Sequence, residues 1–229
     1  MKFFIENQKV EKEIEWVLNQ VRLHMNGATA SQMEERGIKY RINYGVGVPH
    51  LKLLADRIPV SYELAERLWF MEVRETMILA ALIVPDEEMT LERCIEWSSK
   101  VNNVDIIERS AMFLWGRLAT AVKCSSIWLS KETIWERALA FYTMGRMVQL
   151  KNPGADYLIG DVVGMLSIER DDLVCLKAAS YLIRMLIRAG KIDNENLPQL
   201  IDRLHKTPNK NKQMLGQELH TELNFMNEA

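Results

Sequence analysis

Two acids, Asp105 and Glu108, stand three residues apart at the head of the apolar stretch VNNVDIIERSAMFLWGRL, 101–118. On a helix that spacing puts both carboxylates on one face. A carboxylate fixed on a rigid element can stabilise developing positive charge or align a water molecule. Acids in a first helical turn also complement the positive end of the helix dipole, so the pair reads equally as a cap or as a site. A second cluster lies in 172–189. Lys177, Tyr181, Arg184 and Arg188 recur at i, i+4, i+7 and i+11, with Leu176, Ala179, Ile183 and Leu186 on the opposite side. A basic stripe with an aromatic inside it suits a phosphate backbone and a stackable base. The same stripe serves as a solvated face whose last arginines complement the C-terminal dipole, and the residues leave both readings open.

Other chemistry is scarce. YGVGVP (44–49) contains a GxG, but no third glycine follows and no strand precedes it, so a turn feeding a helix with Pro49 at its first position is expected rather than a nucleotide loop. His24, His50, His205 and His220 share no ligand spacing, and neither HExxH nor GxSxG occurs. Neither a metal nor a cofactor is expected. Trp16, Trp69, Trp97 and Trp135 stand among apolar neighbours and are expected in the core.

The 229 residues carry 48% hydrophobic and 26% charged side chains and a net charge of −2. That balance is globular, and any nucleic-acid role needs a local patch rather than a global field. Cys94, Cys124 and Cys175 are odd in number and far apart, as in a reducing cytoplasm. The N-terminal MKFFIENQKVEKE has no apolar run of signal-peptide length, and no segment reaches a membrane span. A cytoplasmic chain without a membrane partner is expected.

Elements able to position these residues are helices. Apolar periodicity and start and stop signals place them near 10–25, 30–36, 49–57, 62–71, 73–84, 91–101, 104–118, 131–150, 155–168, 172–189, 194–206 and 210–225. Ser31 with Glu34 has capping-box spacing, and Ser61, Thr90, Ser130 and Asp193 each precede an acid by two residues. IKYRINYGVGV (38–48) alternates like a strand but has no second strand to pair with, so an irregular connection, helical in part, is expected. EVRETMILAALIV (72–84), WERALAFYTMGRMV (135–148) and CLKAASYLIRMLI (175–187) each set a basic residue, Arg74, Arg137 or Lys177, before an alanine-containing apolar run. This degenerate repeat predicts an all-α, HEAT-like repeat α-solenoid in which each helix pair stacks on its neighbours. A single domain over 1–229 is expected, with a repeat array over 10–205 and a C-terminal helix within 206–229.

YGVGVPHLKLLADRI (44–58), ELAERLWFMEVRETMILAALIV (63–84) and EWSSKVNNVDIIE (96–108) resemble the AlkD-type DNA alkylation repair family, the HEAT-like-repeat DNA glycosylases. The likeness runs over roughly 10–205. It implies an alpha-alpha superhelix with a concave DNA-binding face, double-stranded DNA, damaged or intact, as the partner, and, in active members, release of alkylated purines. The family's Trp-Asp-x-x-Asp motif is matched by Val104, Asp105, Ile106, Ile107 and Glu108, which makes Glu108 and Asp105 the candidate catalytic carboxylates and Val104 a substrate contact. Its Ala-x-x-Trp-x-x-Arg pattern is matched from Ala178 to Arg184 with Tyr181 in place of tryptophan, and a phosphate-contacting arginine corresponds to Arg137. Glu108 keeps the charge but moves it by one methylene, a misplacement that can cost about 10²-fold in rate. Val104 offers no aromatic face to a cationic base, a loss of roughly 0.5–2 kcal/mol. The expectation is a DNA-binding member whose glycosylase activity is altered, weak or absent. A competent glycosylase using Glu108 and a HEAT-like protein-interaction scaffold are the alternatives.

Overall fold

A computed structural model describes residues 4–155, 172–192 and 196–228. Among them every regular element is a helix: α1 (Gln8–Leu23), α2 (Gly27–Glu35), α3 (Val48–Ala55), α4 (Tyr62–Phe70), α5 (Arg74–Ile83), α6 (Leu91–Ser98), α7 (Val104–Phe113), α8 (Ala121–Leu129), α9 (Ile134–Gln149), α10 (Leu173–Arg188), α11 (Asn196–Lys206) and α12 (Lys210–Glu228), with 3-10 turns at Asp86–Glu88, Trp115–Arg117 and Pro153–Ala155. The expected helix at 155–168 and the Asp193 start signal lie outside the described residues. Contacts divide the chain into two compact units, Met1–Leu114 and Trp115–Ala229.

In the first unit α5 is the centre. Nine of its residues, from Arg74 to Ile83, are buried, and it meets α3, α4 and α7. A helix apolar on nearly every side has to be surrounded, and RETMILAALI has that composition. Trp69 of α4 stacks on Trp97 of α6 with ring centroids 4.9 Å apart, and its indole N–H donates to the Trp97 carbonyl at 3.0 Å. In the second unit α9 plays the same part, with Ala138, Leu139, Ala140 and Phe141 fully buried. It meets α8 and α10, and α10 in turn carries α12.

The start signals hold where the capping side chain stands just before the helix. Ser61 accepts from the Leu64 N–H and Thr90 from that of Arg93. Two expectations fail. Ser31 lies inside α2, which Asn26 caps, and Ser130 ends α8, while Thr133 caps α9 by accepting from the Glu136 N–H. Pro49 takes the second helical position, after Val48. The helix expected over 104–118 stops at Phe113, where Leu114 leaves helical geometry. Helix α8 is absent from the expected set: AVKCSSIWL has no acid in its first turn, and Thr120 makes no side-chain cap. Trp69, Trp97, Trp115 and Trp128 are fully buried, but Trp16 and Trp135 are only half-buried and leave the expected core.

Segment 38–47 is irregular throughout, with no helical portion before Val48 and one isolated parallel bridge between Ile42 and Val73. Its backbone groups are met largely by Arg74 and Glu75 at the start of α5 rather than by a partner strand. The Glu75 carboxylate accepts from the Tyr44 and Val46 N–H groups, each at 3.1 Å. Arg74 donates through its backbone N–H to the Ile42 carbonyl at 3.0 Å and through Nη1 to that of Val46 at 2.9 Å. Gly45 adopts φ 70°, and a Cβ there would lie 2.1 Å from the Asn26 carbonyl oxygen. That close approach, which only glycine allows, accounts for the first glycine of the GxG.

Candidate functional site

Two groups of the expected residues stand out, one in each unit. In the first, Asn103 caps α7 by accepting from the Ile106 N–H at 3.2 Å, and its amide donates to the Lys39 carbonyl at 3.0 Å. Irregular segment and helix start are thereby tied together. Asp105 follows in the first turn and is only 7% exposed. Its Oδ2 accepts from Arg74 Nε at 2.8 Å and from the Tyr40 hydroxyl at 3.0 Å, and its Oδ1 from Arg109 Nε at 3.3 Å. Burial and the Asp105 charge push the Tyr40 hydroxyl far above its ordinary range, so it stays a proton donor. Burial works against the Arg74 cation, but Asp105 and Glu75 outweigh it and raise its pKa. Arg74, Glu75 and Asp105 form a chain of buried charges with both carboxylates satisfied, the arrangement in which such groups are tolerated.

Glu108 and Val104 are half-buried, one turn apart on α7. Glu108 is the more accessible of the two acids, and its neighbour on the preceding turn is an isopropyl group rather than a ring. Helical spacing alone put Asp105 and Glu108 side by side; tertiary contacts separate them by environment. Tyr40, Arg74, Glu75 and Arg109 did not emerge from the sequence as site residues. The one signal for them was Arg74, seen as a repeat position, next to an acid at a helix start.

In the second unit Arg137, on α9, is only 9% exposed. Lys177 is exposed on α10, with Leu176, Ala179, Ile183 and Leu186 buried on the opposite side as the spacing predicts. The Tyr181 ring lies 5.2 Å from that of Tyr142 on α9, and its hydroxyl reaches Gln149 Oε1 at 3.5 Å. Gly145 makes this possible: a Cβ there would come within 2.6 Å of the Tyr181 ring. Arg184 is half-buried; its Nε is shielded from solvent without an acceptor among the described residues, and its charge acts on the Glu222 carboxylate. Arg188 is forked onto Glu222 of α12, Nε to Oε1 at 2.5 Å and Nη2 to Oε2 at 3.1 Å. That hydrogen bond holds the Glu222 carboxyl below its usual range and raises Arg188. The stripe therefore divides into an exposed end at Lys177 and an end lined by α12.

The family model described as DNA alkylation repair enzyme matches residues 17–174, more than half of the chain. The chain belongs to this family. Its fold is also that of a solved structure described as a new family of proteins related to the HEAT-like repeat DNA glycosylases with affinity for branched DNA structures. The TM-score is 0.75 at 14% identity, over 92% of this chain and 94% of that one. At that identity the likeness shows the HEAT-like repeat fold. No curated protein matches the chain. The family match covers α7, with Val104, Asp105 and Glu108, and α9, with Arg137, and ends at Val174, before the stripe. Among the described residues no group of three or more His, Cys, Asp or Glu side chains could hold a metal ion, and no helix is long and apolar enough to cross a membrane.

Proposed function

We propose that this chain is a DNA-binding member of the DNA alkylation repair family that takes duplex DNA, branched structures included, and releases alkylated bases weakly or not at all. The observation that carries the binding is the stripe on α10. It sets Lys177 in solvent and Arg184 half-buried on the same side, on a helix whose other face is buried. Cations placed in a row on one helix face meet successive phosphates and release their counterions. The affinity for branched DNA described for the structurally similar protein supports the branched target.

Weak chemistry rests on the first unit. Asp105 spends both oxygens on Arg74, Tyr40 and Arg109, which makes it a positioning residue for α7 rather than a group free to meet a sugar cation. Glu108 remains as the carboxylate, displaced by one methylene, beside Val104. Cys94, Cys124 and Cys175, all buried and none in a disulfide, fit a reducing cytoplasm.

Fluorescence anisotropy with a labelled duplex and a labelled four-way junction, paired with chromatography of bases released from methylated DNA, tests this reading. The expected result is salt-sensitive binding of both, tighter for the junction, with little or no 7-methylguanine released. Robust excision lost in Glu108→Gln overturns the weak-chemistry half and makes Glu108 the catalytic carboxylate. No binding of either DNA at low salt overturns the whole and leaves a protein scaffold.

A further inference from the structure

A groove of about 310 Å³ opens in the first unit between α1 and the turn that follows α3. Helix α1 supplies Lys9, Lys12, Glu13 and Trp16, which at i, i+3, i+4 and i+7 share one face. The turn supplies Arg57, Ile58 and Pro59. Cations therefore outnumber acids here, and the one carboxylate, Glu13, is itself met by Lys9 at 4.0 Å. Glu11, next to Lys12 in sequence, is turned to Arg67, and neither Glu15 nor Asp56 lines the groove. Lys12 and Arg57 are exposed and make no ion pair among the described residues. Between these cations the floor is apolar. Ile58 is buried, and Trp16 is half-buried with the Arg57 guanidinium 5.2 Å from its ring centroid. Val60, next after Pro59, is 72% exposed, so the apolar surface continues out of the groove.

Cations without counterions around an apolar floor are complementary to an anion that carries an apolar group. An inorganic anion would leave Trp16, Ile58 and Pro59 wet, and a neutral apolar group would leave Lys12 and Arg57 unpaired. A nucleotide fits poorly. Arg57 already occupies a face of the half-buried Trp16 ring, and the rest of the floor is aliphatic, so no aromatic face lies free for a base. A small molecule would fill the groove without reaching Val60. A protein segment in which carboxylates flank one large apolar side chain meets all of these groups. We propose that this groove docks an acidic segment of a partner protein, its apolar side chain seated on Trp16, Ile58 and Pro59 and its carboxylates on Lys12 and Arg57. The assignment does not depend on the DNA-binding reading.

The test titrates the full chain into two short labelled peptides, aspartates around one phenylalanine and the same peptide with serine in its place, read by anisotropy at low salt. Seating a large apolar side chain changes affinity by about tenfold. The phenylalanine peptide is expected to bind tighter than the serine peptide by that factor. Lys12→Glu and Arg57→Glu should each weaken its binding by about fivefold or more. Lys210→Glu, the same change of charge in the second unit, should leave it unchanged. All three side chains are exposed, so the core stays intact, and far-ultraviolet circular dichroism checks this. No binding of either peptide, equal affinity for the two, unchanged affinity in both groove variants, or a loss in Lys210→Glu as large as theirs overturns the proposal. So does displacement of the peptide by a single-stranded oligonucleotide whose own binding is lost in Lys12→Glu and Arg57→Glu, which would assign the groove to nucleic acid.

Discussion

At the scale of single residues, one carboxylate does structural work that its sequence context disguises. Asp105 sits where an acid commonly complements a helix dipole, an effect of about 0.3–1 kcal/mol. Here it also closes a buried ion pair with Arg74 at 2.8 Å, and the second effect dominates. Removing one member of a buried pair leaves an uncompensated charge at a cost of about 3–5 kcal/mol. Asp105→Ala is therefore expected to lose stability of that order, read as a lower urea midpoint. Glu108→Ala, at a half-buried position, should lose far less. Equal small losses in both variants would mean that Arg74 finds another acceptor and that Asp105 is dispensable to the fold.

At the scale of elements, the deciding contact joins α5 to the segment at 38–48. A strand-like sequence without a partner strand ought to leave N–H and C=O groups unsatisfied. The consecutive Arg74 and Glu75 supply the acceptors and donors that a neighbouring strand would have provided, and Glu75 is fully buried in doing so. Glu75→Gln replaces one carboxylate oxygen by an amide donor facing a backbone N–H, at a cost of about 1–3 kcal/mol. In hydrogen exchange the Tyr44 and Val46 amides should lose protection selectively while far-ultraviolet circular dichroism is unchanged. Retained protection at both amides would show that packing alone holds the segment. A similar dependence governs α9 and α10, where Gly145 leaves room for the Tyr181 ring, so the aromatic of the stripe is placed by a residue on another helix.

At the scale of the whole molecule, a chain of net charge −2 has no global field to attract DNA, so the proposed binding rests on a few placed cations. The logarithm of DNA affinity should fall linearly with the logarithm of salt concentration, with a slope of about −0.9 per phosphate contact. Lys177→Ala and Arg184→Ala should each make that slope shallower by about one contact and weaken binding alike across sequences. Slopes unchanged in both variants would assign the stripe to solvation. Arg137 differs, because a residue 9% exposed is held by the fold, and its replacement should lower stability together with any effect on binding.

Periodicity and local chemistry are the properties that the sequence by itself determined. The helices of the described residues, save α8, are legible from apolar spacing; the caps at Ser61 and Thr90 come from residue type; and the order of motifs pointed to the family that the match over 17–174 established. These properties depend on neighbours within a few residues, whose geometry the helix fixes in advance. The end of α7 at Phe113, the half-burial of Trp16 and Trp135, and the employment of Asp105 were not legible, because each depends on atoms brought from elsewhere in the chain. Helical spacing makes Asp105 and Glu108 equivalent. Tyr40, 65 residues away, and Arg74, 31 residues away, are what distinguish them. In the same way Glu222 takes the hydrogen-bonded fork of Arg188 and meets Arg184 only through its charge, although the stripe treats the two arginines alike. Tertiary structure decided which charges are paired and how closely, since an ion pair is set by distance and burial, and a periodic pattern specifies neither across the fold.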